Sequence, residues 1–183
     1  LLRARTSPAR DVYSGVLYDA IGFASLSQRA LRRIDASTYT MSALFGPVAM
    51  TDLIPAYRLS AGSLLPRVGP LRDVWREPVA HLLEQRDDLI VDLRSSAYVG
   101  LAPLPKSVEA VVPRILQKMP SGPPKVVSHH NKAWKGRIVR GFATAPKAAT
   151  TIDSLVEMIA GLGADVTVVP GAHTRLDVVV GAL

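Results

Sequence analysis

The stretch "PPKVVSHHNKAWKGRIVRGFA" (residues 123–143) decides the fold. Two prolines followed by the β-branched pair Val126 and Val127 predict a short strand. From Lys132 onward, apolar residues such as Ile138, Val139 and Phe142 recur at helical spacing, so a helix is predicted to begin near Lys132. A strand that leads directly into a helix is typical of proteins that combine both elements in one sheet-based domain.

The same alternation continues on both sides of this stretch. "DLIVDLRSS" (88–96) is an almost continuous apolar run, typical of a buried strand, and "PAYRLSAG" (55–62) predicts a shorter one. "VYSGVLYDAIG" (12–22) predicts a helix with Asp11 as its N-cap and Gly22 as its stop. Further helices are predicted over 71–85 and 150–163, and strands over 165–169 and 175–181. The pattern predicts a mixed α/β (α+β) fold, with a mixed sheet flanked by helices and a single compact domain over residues 1–183.

Composition excludes several classes of protein. The chain has 183 residues, 48% of them hydrophobic, and no apolar run approaches the roughly 18 residues that span a bilayer. The absence of cysteine excludes disulfides, thiolate nucleophiles and cysteine-ligated zinc. We expect a protein without a membrane segment, located in the cytoplasm.

Charge is distributed unevenly along the chain. The formal net charge is +7, and no acidic residue lies between Glu109 and Asp153. The cations of this acid-free segment are Arg114, Lys118, Lys125, Lys132, Lys135, Arg137, Arg140 and Lys147. A segment of one sign predicts a positive surface that attracts phosphates, although lysines on an ordinary solvated face would give the same composition.

The histidine pair His129 and His130 does not predict a metal site. Neighbouring residues on a strand point to opposite faces, so the two rings cannot easily share one ion. His81 and His173 add no metal-binding spacing. We expect no metal and no cofactor, and a structural or hydrogen-bonding role for the histidines.

Two polar groups are the strongest candidates for chemistry. Ser128 to Asn131 would lie at a strand end, and Lys132, Lys135 and Arg140 on the following helix would attract an anion together with the positive helix N-terminus. "VDLRSSAY" (91–98) places Asp92, Ser95 and Tyr98 after the buried strand, where they could meet the first group. Asp92 would act as a general base or as the salt-bridge partner of the lysines.

A third signal is "LPRVGPLRDVW" (65–75), which is similar to the hairpin of helix-hairpin-helix modules that approach a DNA phosphate. Arg67 stands where such a hairpin has its first glycine, and this replacement is expected to spoil the tightest part of the hairpin. An ordinary Gly-Pro turn before a helix is the alternative.

Five segments in order carry a family resemblance: "VYSGVLYDAIG", "ALFGPVAMTDLIPAYRLSAG", "GPLRDVWREPV", "LIVDLRSSAYVGL" and "VVSHHNKAWKGRIVR". Together they resemble the YaaA-type family of peroxide stress response proteins. The resemblance implies one compact α/β domain with a positively charged cleft and a helix-hairpin-helix-like element, and a role in protecting DNA and limiting free iron under hydrogen peroxide. The positions that match family motifs are Tyr13, Tyr18, Arg58, Asp92, Ser95, Tyr98, Ser128, Asn131, Lys132, Lys135, Gly136 and Arg137.

The chain also departs from the family pattern. The usual N-terminal segment is absent from this sequence, and His130 and Trp134 stand where relatives tend to carry an aromatic and a small residue. Those two changes would lie inside the expected cleft and would alter its ligand.

We therefore expect a DNA-binding protein of the oxidative stress response. Phosphates would be contacted by Lys132, Lys135, Arg137, Arg140 and Arg58. The pocket would be lined by Tyr13, Tyr18, Ser95, Ser128, His130, Asn131 and Trp134, with Tyr13, Tyr98 and Trp134 stacking on an exposed base. The alternative is an enzyme acting on a nucleoside, nucleotide or related small molecule, with Lys132, Asp92 and Tyr98 as catalytic candidates. A scaffold that binds a partner without chemistry is a third possibility.

Overall fold

The chain adopts a mixed α/β fold, as predicted, in a computed structural model that describes residues 3–181 except for the side chains of Ser128 and His129. Its contacts divide it into two compact units. Unit 1 comprises residues 1–13, 35–87 and 94–108, and unit 2 comprises 14–34, 88–93 and 109–183. The single domain expected from the sequence stays a prediction.

Unit 2 is built on a four-stranded sheet in the order β7-β8-β10-β9. Its strands are β7 (Ile90–Val91), β8 (Ala110–Gln117), β9 (Asp165–Val169) and β10 (Thr174–Val180). β8 is parallel to both β7 and β10, whereas β9 is antiparallel to β10. The predicted mixed sheet is therefore confirmed.

The helices of unit 2 are α2 (Val16–Ile21), residues 28–34 of α3 (Gln28–Ser37), α6 (Ser128–Thr144) and α7 (Ile152–Ala160). Side chains alternate across a strand, and on β10 the alternate residues Leu176, Val178 and Val180 are all buried. They form one apolar cluster with Ile138 of α6 and Ile159 of α7. The core of unit 2 thus joins the sheet to these two helices.

Two further contacts fix α6 in place. Gly136 lies so close to α2 that an added methyl group would overlap the carbonyl oxygen of Leu17 and stand 2.8 Å from Ala20 Cβ. At the other end, Arg33 of α3 donates to the carbonyl oxygens of Phe142 at 2.8 Å and Ala145 at 2.7 Å. These bonds satisfy carbonyl groups that a helix C-terminus leaves without partners.

Unit 1 contains three small two-stranded sheets and three helices among its described residues. The elements are β1 (Thr6–Pro8), α1 (Ala9–Val12), β2 (Tyr39–Ser42), β3 (Gly46–Ala49), β4 (Leu53–Pro55), β5 (Leu64–Leu65), β6 (Gly69–Pro70), α4 (Leu71–Glu84) and α5 (Ser96–Leu101). Each sheet is antiparallel, with β1 beside β4, β2 beside β3 and β5 beside β6.

Several element boundaries differ from the sequence prediction. The region 12–22 forms α1 and α2 separately, because the chain is extended at Tyr13 and Gly15 adopts a φ of 102°. Gly22 ends α2 in the left-handed conformation, as expected of a stop residue. Residues 56–60 form no strand, and the predicted strand over 88–96 is reduced to the two residues of β7.

The hairpin of β5 and β6 precedes α4, at the position of the proposed phosphate-binding hairpin. Val68 N donates to Leu65 O at 3.1 Å, and Arg67 has a φ of 66°. Pro66 and Arg67 are the two central residues of this turn. Proline followed by a residue with positive φ is the pattern of a type II turn, which normally has glycine as its second central residue. Arg67 therefore occupies a glycine-type conformation on an exposed turn, and the DNA contact suggested for this hairpin stays a prediction.

Candidate functional site

Helix α6 begins four residues earlier than the sequence pattern indicated. Gln117 and Lys125 form a single isolated bridge, and the chain stays extended to Val127, the N-cap residue. Ser128, His130 and Asn131 consequently lie in the first turn of the helix rather than at a strand end. This corrects the argument from opposite strand faces, because neighbouring helical residues diverge by only about 100°.

Asp92 and Lys135 form the charged centre of unit 2. Asp92 directly follows β7, is only 6% exposed, and donates its backbone N–H to Val111 O at 2.9 Å. Lys135 is half-buried on the second turn of α6. Burial lowers the pKa of Lys135, and the negative charge of Asp92 acts in the opposite direction. Asp92 and Lys135 are thus electrostatic neighbours, and the role of Asp92 as a general base or a salt-bridge partner stays a prediction.

Three buried polar atoms at the start of α6 have no hydrogen-bond partner: His130 Nδ1, Asn131 Oδ1 and Trp134 Nε1. On a helix, residues three and four apart are neighbours, so Asn131 and His130 both lie beside Trp134. A buried polar atom without a partner costs about 1–3 kcal/mol. Such a concentration is unusual in a native structure and is characteristic of sites that hold a ligand or ordered water.

Trp134 does not fit its predicted stacking role. Its side chain is 4% exposed and belongs to the apolar core of unit 2, so neither face of the ring is open to a base. The Arg137 guanidinium lies 5.2 Å from the centre of the Trp134 ring. The tryptophan therefore positions a cation at the surface by a cation–π contact.

The predicted phosphate contacts of unit 2 divide into three groups. Lys132 and Arg137 are exposed on α6, whereas Lys135 is directed into the half-buried environment beside Asp92. Arg140 is anchored within the protein, because its Nη1 donates to Ile21 O at 2.7 Å and to Ser25 Oγ at 2.9 Å. Among these residues, Lys132 and Arg137 are the most available to a ligand.

The partial positive charge at the N-terminus of α6 is not offset by a capping side chain or by an acidic residue in the first helical turn. Val127 provides no side-chain cap, and the first turn contains no acidic residue. By contrast, α7 has a full capping box between Thr151 and Ser154, with Asp153 in its first turn. The partial positive charge of a helix N-terminus therefore adds to that of Lys132.

Unit 1 contains a phenol cluster made of Tyr13, Tyr57 and Ser42. Ser42 is 1% exposed, and its Oγ accepts hydrogen bonds from Leu44 N at 3.0 Å and Phe45 N at 2.9 Å. A hydroxyl has two lone pairs and one proton, so Ser42 must donate its proton to Tyr57 Oη, 2.6 Å away. Tyr57 Oη lies 3.0 Å from Tyr13 Oη, which extends the chain of hydroxyls.

The remaining predicted residues of unit 1 lie in different environments. Burial raises the pKa of Tyr98, and the neighbouring Tyr57 raises it further. Arg58 is exposed next to Tyr57 in sequence, and Ser95 is the exposed N-cap residue of α5. In unit 2, Tyr18 is half-buried on α2. The side chain of Ser128 lies outside the described residues, and a joint pocket of all these side chains stays a prediction.

Sequence reasoning missed Tyr57 and Ser42, which are the centre of the phenol cluster. Tyr57 belongs to the segment "ALFGPVAMTDLIPAYRLSAG" that carries the family resemblance. The sequence therefore pointed to this region but did not indicate a role for Tyr57. Ser42 had no such signal, because its two bonds to the turn of Leu44 and Phe45 depend on local backbone geometry.

Neither a metal-binding cluster nor a membrane-spanning helix occurs among the described residues. No three histidine, aspartate or glutamate side chains come together there as potential ligands of a metal ion. No helix in that part of the chain combines the length and the apolar character needed to cross a membrane.

Comparison with known proteins identifies relatives. The family profile described as peroxide stress protein YaaA matches residues 2–161. A UPF0246 protein of Streptomyces coelicolor is 44% identical over 168 residues, which cover 91% of this chain and 64% of that relative. A UPF0246 protein of Corynebacterium efficiens is 39% identical over 184 residues, which cover 98% of this chain and 72% of that relative.

More distant relatives include a UPF0246 protein of Lactobacillus delbrueckii, 31% identical over 139 residues. The chain spans less than two thirds of the length of the Streptomyces relative, at 64%. The family match nevertheless covers most of the present chain, including β7, β8, α6 and α7. The protein belongs to the YaaA family of peroxide stress proteins.

Proposed function

We propose that this protein binds nucleic acid in the response to peroxide stress, and that exposed cations of unit 2 hold the phosphates. The observation that carries the proposal is a set of exposed lysines in the acid-free segment whose side chains make no ion pair or hydrogen bond among the described residues: Lys118, Lys125, Lys132 and Lys147. Unpaired cations of one sign attract a polyanion and gain affinity through the release of its counterions.

The uncapped start of α6 supports the same proposal. Backbone N–H groups of a first helical turn have no partners within the helix, and together with the helix dipole they favour a phosphate. Lys132 is exposed one turn further along α6, close enough to share such a phosphate. We therefore assign Lys132 the leading phosphate contact.

The test compares Lys132→Ala with Arg32→Ala in binding to duplex and bulged DNA. Arg32 is an equally exposed cation without a partner in the described chain, on α3, the helix that covers the C-terminal end of α6. Loss of one phosphate contact should weaken binding severalfold for all sequences and reduce the slope of log K against log salt by about 1. The proposal fails if Lys132→Ala and Arg32→Ala bind DNA equally well.

Asp92 and Lys135 favour a second function, catalysis on a nucleotide-type small molecule. An amine with a lowered pKa that lies beside a buried carboxylate is suited to serve as a base or a nucleophile. Nucleoside and nucleotide substrates would be incubated with the wild type and with Lys135→Met, and products followed by chromatography. Turnover that survives in Lys135→Met would exclude this assignment.

A further inference from the structure

A groove on the outer surface of α6 lies apart from the start of that helix. It has a volume of about 280 Å³ and is lined by Arg137, Arg140, Gly141, Thr144 and Leu162. The first four residues occupy positions i, i+3, i+4 and i+7 of α6, so they share one face of that helix. The groove is at the small end of the range for ligand pockets and suits a single compact group.

Both arginines of the groove are held in position by the protein. Arg140 Nη1 donates to Ile21 O and Ser25 Oγ, which fixes the guanidinium against the end of α2. Arg137 rests on the ring of the buried Trp134. Guanidinium groups that are fixed before binding lose less side-chain entropy when they engage a ligand.

The remaining walls shape the groove around these cations. Gly141 permits the close approach of α7 and of the residues just after it, because a methyl group there would stand 2.8 Å from Met158 Sδ and 3.1 Å from Leu162 Cδ1. Leu162 supplies an apolar wall. Thr144 Oγ1 donates its proton to Arg140 O at 2.8 Å, so the hydroxyl itself is already committed to the helix.

The charge of the groove is unbalanced. None of its lining residues is acidic, and the acid-free segment includes every lining residue on α6. Like charges three residues apart on a helix repel one another. An anion between Arg137 and Arg140 would relieve that repulsion, and the planar, multidentate guanidinium groups match the oxygens of a phosphate.

We propose that this groove binds one phosphate group, carried either by a small phosphomonoester or by a nucleic-acid strand. The site is distinct from the Lys132 contact at the start of α6. It rests on the proposed function only where the phosphate belongs to a nucleic acid.

The test is calorimetric titration of the full chain with inorganic phosphate and with a nucleoside 5′-monophosphate at constant ionic strength. Wild type should show saturable binding. Arg137→Gln should weaken it about tenfold or more, because a charge-assisted hydrogen bond is lost. Arg140→Lys retains a donor for Ile21 O but lacks the planar set of N–H donors of a guanidinium group, so it should also weaken phosphate binding. Arg32→Gln should bind as wild type does.

Absence of saturable phosphate binding by the wild type would overturn the proposal, as would unchanged affinity in both Arg137→Gln and Arg140→Lys. Two supporting outcomes identify the source of the phosphate. Displacement of the bound monophosphate by duplex DNA indicates a nucleic-acid phosphate, and simultaneous binding of both indicates a free phosphomonoester. Lys132→Ala separates the proposal of DNA binding at the start of α6 from the proposal of phosphate binding in the groove. This substitution should lower DNA affinity and leave binding of inorganic phosphate unchanged.

Discussion

At the scale of single residues, the most informative group is Lys135. Two opposing effects determine its pKa: burial lowers it, and the negative charge of Asp92 raises it. The sequence placed Lys135 among the phosphate contacts, since spacing alone does not distinguish an exposed lysine from one beside a buried carboxylate. Asp92 was recognised because it follows an apolar strand, where polar residues are rarely needed for packing.

Replacement of Asp92 separates these two effects. In Asp92→Asn, the charge that favours the ammonium form is lost while burial remains, so the pKa of Lys135 should fall further below its ordinary value. The measurement is an NMR titration of ¹³C-methylated lysines. Asp177→Asn is the control, because Asp177 pairs with Arg114 and Arg175 instead. An unchanged or increased pKa of Lys135 in Asp92→Asn would contradict this account.

The sequence correctly marked Arg67 as an unusual residue for a tight turn, but it did not show whether the turn would form. An arginine in place of the hairpin glycine was expected to spoil the turn. The turn nevertheless forms, with Arg67 in the left-handed region at a φ of 66°. That conformation costs roughly 1–2 kcal/mol for a residue other than glycine, and the β5–β6 pairing and the following helix offset it.

At the scale of elements, the presence of α6 and α7 was predicted more accurately than the start of α6. The periodicity of α7 and the capping residues near Thr151 were visible in the sequence. The start of α6 was not, because Val126 and Val127 favour a strand and His129 to Asn131 are indifferent helix formers. Packing of Trp134 and Ile138 into the core extends the helix through residues that local propensity alone would leave outside it.

The contact between α2 and α6 depends on Gly136. Gly136→Ala should destabilise the protein by about 1–3 kcal/mol, since the methyl group would overlap Leu17 O and crowd Ala20. Urea unfolding gives the difference in free energy. Gly100→Ala on α5 is the matched control, because nothing lies within 4 Å of its added methyl group, and it should be neutral or slightly stabilising. Equal effects of the two substitutions would show that the α2–α6 contact is not as close as described.

At the scale of the whole molecule, the decisive property is the distribution of charge. The sequence alone gives the net charge of +7 and the acid-free segment between Glu109 and Asp153. The sequence could not show which cations are neutralised internally. Arg114 pairs with Asp177 at 2.6 Å and the Arg140 side chain donates to the carbonyl oxygen of Ile21. The side chains of Lys118, Lys125, Lys132 and Lys147, by contrast, have no partner in the described chain.

The dependence of DNA affinity on salt tests the central claim most directly. If three or four of these cations each neutralise one phosphate, log K should fall linearly with log salt, with a slope of about −3 for duplex DNA. The measurement is a fluorescence-anisotropy titration of labelled duplex at several salt concentrations between about 50 and 200 mM. A slope close to −3 is the predicted result. DNA affinity that stays flat over this range, or no binding at the lowest salt, would contradict nucleic-acid binding through the cations of unit 2.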